Sequence, residues 1–201
     1  MLSSYLHDHL IEAGCDEVGR GCLSGPVVAA AVILPKDYHH PLMNDSKKLR
    51  KNTRKSLENE IKNAAISWAI AEVSPQEIDR INILQASFLA MHRAIDQLTI
   101  KPEHLLIDGN RFKAYRDIPH TCVIKGDGKY LNIAAASILA KIYRDELMEK
   151  LAGEYPHYDW ENNAGYPTAK HRNGIEIHGA TPHHRMSFKL LPDQLDLFDS
   201  I

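Results

Sequence analysis

The chain has 201 residues, 44% of them hydrophobic, and a formal net charge of −2. That length allows one good-sized core and little more, and the near-neutral balance excludes a uniformly basic surface, so any face that meets nucleic acid must be local. There is no apolar run of about 18 residues to span a membrane and no basic-then-apolar leader at the start, and three cysteines (Cys15, Cys22 and Cys122) without a C-x-x-C pair predict reduced thiols in a cytoplasmic protein.

In chain order, a first strand is predicted to approach Asp16 from Ile11. Residues 26–34, PVVAAAVIL, form a nearly continuous apolar run, the pattern of a strand buried on both faces. A turn-rich stretch with Pro35, Pro41 and Asn44 follows, then a helix over 51–65 and a short strand over 66–73. Ser74-Pro75-Gln76-Glu77 reads as a helix start with Pro at the first helical position. Residues 82–98 read as a helix that keeps Ile83, Leu84, Phe88, Met91 and Ile95 on one side. Residues 104–107 and 121–124 are short apolar strands, and 131–151 is a long Ala-rich helix. In that helix Ala134 to Ala136 permit close packing on a sheet beside Ile133, Ile138, Leu139 and Ile142. Beyond it the chain is punctuated by Gly165, Pro167, Gly174, Gly179 and Pro182. Strands interleaved with helices predict an α/β domain over residues 1–190, with 191–201 as a tail.

Acidic residues recur where apolar strands run out. Asp16-Glu17 precede Val18-Gly19-Arg20-Gly21, Asp108 follows Leu105-Leu106-Ile107, and Asp127 lies in Lys125-Gly126-Asp127. Read alone, an acidic pair before glycine is an ordinary turn. Adjacent strand residues also point to opposite faces, so both acids serve one site only if the strand ends there or one of them offers its carbonyl. Three such strand ends together predict a carboxylate cluster at the ligand-binding edge of an open sheet. Hard oxygen donors suit Mg²⁺ or Mn²⁺. Zinc is not expected, because H-E-x-x-H is absent and His39-His40 and His183-His184 are adjacent pairs.

The motifs DEVGRG (16–21), PVVAAAVIL (26–34), NDSKKL (44–49), LIDGN (106–110), KGD (125–127), AAASILAK (134–141), GYPT (165–168) and HGATPHHRMSF (178–188) resemble, in order and spacing, those of the bacterial ribonuclease HII family, the type 2 ribonucleases H. The resemblance implies a ribonuclease H-like mixed sheet flanked by helices, with a C-terminal helical extension. It places four catalytic, metal-binding acids on Asp16, Glu17, Asp108 and Asp127, with two divalent cations, Mg²⁺ or Mn²⁺, in the working site. The activity implied is hydrolysis of the RNA strand of RNA–DNA hybrids, and cutting 5′ of single ribonucleotides in duplex DNA to leave 3′-OH and 5′-phosphate ends. Cys22 stands where Pro is common in the family, Gly128 where Ser or Ala is usual, and Tyr143 where Thr is usual.

Telling RNA from DNA requires sensing a 2′-OH. The backbone N–H groups of Gly19, Arg20 and Gly21 are suitable donors, since glycine lets the main chain approach closely. The family resemblance puts Tyr166 against the adjoining deoxyribose. It also puts Ser46, Lys47 and Lys48 near the substrate phosphates, with Arg50, Lys51, Arg54 and Lys55 supplying long-range attraction. His183 and Arg185, with His184 and Ser187, make a second candidate patch. A resolvase-type nuclease of the same fold and a non-catalytic hybrid-binding module are the alternatives; the first would not need the 2′-OH, and the second would lack an acid.

After the nuclease motifs the tail reads LLPDQLDLFDSI. Gln194, Leu195, Leu197 and Phe198 resemble the short peptide by which bacterial replication and repair proteins hold the sliding clamp: two apolar anchors for a pocket, an added contact and a polar anchor. The other reading is that the same leucines and phenylalanine dock on the domain's own core. No membrane partner is expected, and the protein is read as a monomer.

Overall fold

A computed structural model describes residues 2–41, 43 and 51–192. Ser46, Lys47 and Lys48, and Gln194, Leu195, Leu197 and Phe198 in the tail, lie outside the described residues.

The apolar run after Gly25 forms β2 (Val27–Ile33), all seven of whose residues are buried. It lies between β1 (Glu12–Val18) and β3 (Ser67–Val73), antiparallel to both. Two short strands, β4 (His104–Asp108) and β5 (His120–Val123), add in parallel on the far side of β1, giving the order β3-β2-β1-β4-β5. The most polar strand of the protein is therefore the central one. β3, at the edge, alternates buried and exposed residues, as a strand covered on one side should.

Helices cover both faces. On one face α3 (Ile83–Asp96) sets Ala86, Ala90, Met91 and Ala94 against Ala13, Cys15, Ala29 and Leu105. Ahead of it, α2 (Pro75–Ile81) starts with a reciprocal cap between Ser74 and Glu77 and stops at Asn82, whose side chain then caps α3. On the other face α4 (Leu131–Glu154) packs its Ala134, Ala135, Ile138 and Ile142 on Val28, Ala30 and Val32, and α1 (Lys51–Ala64) adds Leu57 and Ile61. Gly14 of β1 is where α4 comes closest. A Cβ there would lie 2.2 Å from the carbonyl carbon of Asn132 and 2.3 Å from the nitrogen of Ile133. The Asn132 side chain completes the seam, accepting from Leu34 N–H at 3.1 Å and donating to Glu12 O at 3.1 Å. Among the described residues no helix is long and apolar enough to cross a membrane.

The punctuated C-terminal stretch folds as α5 (Trp160–Asn163) and α6 (Ala169–His178), the helical extension that the family resemblance implied and that the residue pattern alone did not delimit. Leu23, Met148, Leu151, Tyr158, Trp160, Ile175 and Leu190 form their core. Inside it sit two buried histidines whose tautomers follow from their partners. The Tyr166 carbonyl can only accept, so His171 Nδ1 carries the hydrogen (2.9 Å). The indole of Trp160 can only donate, so His171 Nε2 is bare (2.9 Å). The Thr181 N–H donates to His184 Nδ1 at 2.8 Å, which leaves the hydrogen of His184 on Nε2, 3.2 Å from His171 Nε2.

Both rings are thus neutral, and adding a proton breaks a bond. Burial, then the neighbouring His171, brings His184 down to about 4. Burial also lowers His171. A histidine lowered on folding contributes stability that is complete above its unfolded value near 6.5 and is lost as pH falls toward the folded value. For His184, at 1% exposure, the window from about 6.5 to about 4 corresponds to about 3 kcal/mol. Urea unfolding between pH 7 and 4.5 is expected to fall more steeply for the parent than for His184→Gln. Equal slopes would show that the pair does not carry the acid sensitivity.

Candidate active site

The register of the sheet brings the acids together. β1 and β4 run parallel with Cys15 beside Ile107, so one step on Asp16 neighbours Asp108. Asp16 is buried at 7% exposure and its Oδ1 accepts from the Glu17 N–H at 2.7 Å. Burial first, then the carboxylates of Asp108 and Glu17, hold its carboxyl well above the usual range against a hydrogen bond from Ser137. Burial also raises Glu17, opposed by Arg20, whose guanidinium pairs with it at 3.1 Å. Asp108 Oδ1 accepts from the Gly126 N–H at 2.6 Å.

The strands do not stop where expected. β1 continues through both acids to Val18, and β5 ends at Val123, short of Asp127. Asp127 lies instead in a single 3₁₀ turn, Gly126–Gly128, entered through Lys125 in the left-handed region (φ 55°). The alternation problem is resolved at the sheet's rim. One depression, on the α4 side, is lined by Asp16, Glu17, Asp108, Arg54, Ser137, Lys141 and Tyr166. The other, on the α3 side, is lined by Glu17, Asp108, Arg20, Asn110 and Arg111 over an apolar floor of Leu84, Phe88 and Met91. Glu17 and Asp108 border both, whereas Asp127, although buried, lines neither.

Neither depression presents His or Cys, and the clustered donors are carboxylate oxygens, which suits a hard divalent cation. Among the described residues no three acidic, His or Cys side chains already stand in a chelating arrangement.

Beside the acids the 19–26 segment turns sharply. Gly19 has φ +92°, and a Cβ on it would meet Arg144 Nε at 2.2 Å. Two fully buried arginines hold the turn by its carbonyls. Arg144 donates to Pro26 O (3.0 Å), Ser24 O (2.9 Å) and Ala164 O (2.7 Å). Arg185 donates to Gly25 O (3.0 Å), Arg20 O (3.0 Å) and Gly19 O (2.7 Å). This corrects the expectation for Arg185: a guanidinium with 0% exposure, committed to main-chain oxygens, is not a surface contact for substrate. His183 is half-buried, packs edge-on to Tyr155 and accepts from Gly25 N–H through its carbonyl at 2.8 Å; it lines neither depression.

Tyr166 is 42% exposed on the rim of the α4-side depression. Its ring approaches Gly21, with Cε1 4.0 Å from where a Cβ on that residue would lie. Burial raises its hydroxyl, which is hydrogen-bonded with Cys22. The sequence reading missed Ser137, Lys141 and the buried Arg144. None of the three left a local signal, because α4 also carries Asp145, Glu146, Glu149, Lys150 and Glu154, and a buried charge reads in sequence like an exposed one. Lys141 pairs with Asp145 at 2.6 Å, and Arg54 approaches the same carboxylate at 3.8 Å.

A family model described as Ribonuclease HII matches residues 13–191. The chain is 66% identical to a ribonuclease HII of Bacteroides fragilis over 199 residues, which is 98% of this chain and 99% of that one. Among solved structures, the ribonuclease H2 from Pyrococcus horikoshii superposes with a TM-score of 0.75 at 25% identity, covering 89% of this chain and 94% of that one. The ribonuclease HII in a complex with PCNA from Archaeoglobus fulgidus matches with a TM-score of 0.74 at 28% identity, covering 93% and 99%.

Proposed function

The chain belongs to the ribonuclease HII family, and on that premise we propose that it is an endoribonuclease that hydrolyses the RNA strand of RNA–DNA hybrids and cuts on the 5′ side of single ribonucleotides in duplex DNA. The observation that carries the proposal is the meeting of Asp16, Glu17 and Asp108 at the ends of two parallel strands, directly beside a glycine turn and a rim tyrosine.

Asp16, Glu17 and Asp108 would hold divalent cations, Mg²⁺ or Mn²⁺, with Asp127 completing the set beside Gly126. Such cations lower the pKa of water and shield phosphate charge. The chain's own groups do the rest. The N–H groups of the Gly19–Gly21 turn meet the 2′-OH and leave it as a recognised group, not the nucleophile. The Tyr166 ring covers the sugar that follows. Lys141 and Arg54, with Ser46, Lys47 and Lys48, offset the phosphate charge. A site built to hydrogen-bond a hydroxyl rejects the deoxy analogue strongly, by about 10⁴–10⁵ in favourable cases.

The test is to digest a duplex carrying one ribonucleotide and map the ends. A 3′-OH and a 5′-phosphate, with the cut 5′ of the ribonucleotide, are expected; a 2′,3′-cyclic phosphate would refute the proposal. Tyr166→Ala is expected to slow this cleavage about tenfold or more, the scale of one lost sugar contact, with melting temperature little changed because the side chain is on the rim. Cleavage equal to the parent's would remove Tyr166 from the site.

Gln194, Leu195, Leu197 and Phe198 are proposed to bind the DNA sliding clamp. Support comes from the tail's resemblance to clamp-binding peptides and from the archaeal relative described in complex with PCNA. A terminal peptide offers few anchors, so binding should be weak but enough to raise the local concentration on DNA. Deleting 194–198 is expected to abolish binding to the purified clamp while cleavage of a short duplex and the melting temperature stay unchanged. A drop of several degrees would instead show the tail docked on its own domain.

A further inference from the structure

Arg185 is a buried cation whose guanidinium donates to three carbonyl oxygens, and it forms no ion pair with a carboxylate among the described residues. Two of those oxygens belong to informative peptide groups. The carbonyl of Gly19 shares its peptide with the N–H of Arg20, and the carbonyl of Arg20 shares its peptide with the N–H of Gly21. Arg185 donates to these carbonyls at 2.7 and 3.0 Å. A charged donor on an amide oxygen draws electron density through the amide and makes the N–H at its other end a stronger donor. We propose that Arg185 is a positioning residue for ribose recognition: from behind the turn it aims and polarises the Arg20 and Gly21 N–H groups that meet the 2′-OH. This rests on the reading above that the turn senses the sugar.

Three features support the role. The guanidinium is fixed at a third point by Gly25 O, and the Arg185 N–H donates to Leu23 O at 2.8 Å, so its fork is held against the turn from both ends. The next two residues are pinned in turn by Asp79 of α2, which accepts from Met186 N–H and Ser187 N–H at 2.9 Å each and from the Ser187 hydroxyl at 2.6 Å. Although burial lowers its pKa to about 10, Arg185 stays charged at neutral pH. Lysine cannot replace the fork, because one nitrogen on a flexible stem does not span three carbonyls in fixed directions.

Trp160 supplies the internal control. It is equally buried, but its indole donates to His171 Nε2, away from the two peptides in question. Loss of either side chain's bonds should change stability. Only Arg185 should change the preference for ribose.

The experiment measures binding of the full chain, in EDTA so that nothing is cut, to a duplex with one ribonucleotide and to the same duplex in all-DNA form. The parent is expected to prefer the ribonucleotide. Arg185→Lys is expected to reduce that preference about tenfold, the size of one charge-assisted hydrogen bond, whereas Trp160→Phe leaves the ratio within about twofold even where it lowers the melting temperature. Asp79→Ala, which frees the segment carrying Arg185 without removing the arginine, is expected to move the ratio in the same direction by a smaller factor; it serves as the deciding variant if Arg185→Lys does not fold. A folded Arg185→Lys, or failing that an Asp79→Ala, with the parent's ratio overturns the role of Arg185. Absence of any preference in the parent overturns the turn reading itself, and this proposal with it.

Discussion

Asp108→Asn is expected to lower the cleavage rate at a single ribonucleotide by on the order of 10³-fold while the protein stays folded. Asparagine keeps the shape and can still accept from the Gly126 N–H, but it removes one of the charges proposed to hold the cations. The same loss is expected for Asp16→Asn, with a second, opposite effect. Burial and two neighbouring carboxylates raise the Asp16 carboxyl. An acid raised on folding costs stability at neutral pH in the metal-free protein, and the cost is relieved as pH falls through the folded value. Asp16→Asn should therefore melt higher than the parent in EDTA, by roughly 2–4 °C if about 1 kcal/mol is recovered. Adding Mg²⁺ should narrow or reverse the difference. Near-parental cleavage by either variant at saturating Mg²⁺ would sink the metal-site assignment, and a lower melting temperature for Asp16→Asn in EDTA would sink the electrostatic account of it.

Gly14→Ala is expected to be among the most damaging single substitutions in the chain. The added methyl would stand 2.2–2.3 Å from main-chain atoms at the start of α4, where no side chain can swing aside. Either β1 or the helix must move, and overpacking of this kind costs about 1–3 kcal/mol or more. Because α4 carries Ser137, Lys141 and Arg144, the site moves with it. Soluble expression and urea unfolding measure the effect. A Gly14→Ala protein with parental stability and activity would mean that the close approach of helix and strand is not needed.

Much of this architecture was legible in the sequence. The all-apolar run of β2, the Ser74–Glu77 cap and the one-sided pattern of α3 are local signals, and each element formed within a few residues of its predicted limits. The acids stood out in the sequence because Asp108 closes the apolar β4, Asp127 follows shortly after β5, and Asp16 and Glu17 come just before a glycine turn. What stayed hidden depends on contacts between distant segments. Nothing local tells that Gly14 lies under a helix more than a hundred residues later, or that Arg185 turns inward, since its motif of histidines and arginine reads as a surface patch. The helices α5 and α6 were expected only through the family resemblance and not delimited by pattern, because the glycines and prolines around them mimic loop composition while their packing rests on Trp160 and a pair of neutral histidines.

The placement of Glu17 and Asp108 between two depressions has a topological consequence. The acids stand between a hollow on the α3 side and one on the α4 side. On the proposed function, a nucleic-acid strand laid across this divide would arrive broadside, at any point along its length. No terminus would have to be fed through, and the two halves of a cut strand would part toward opposite hollows.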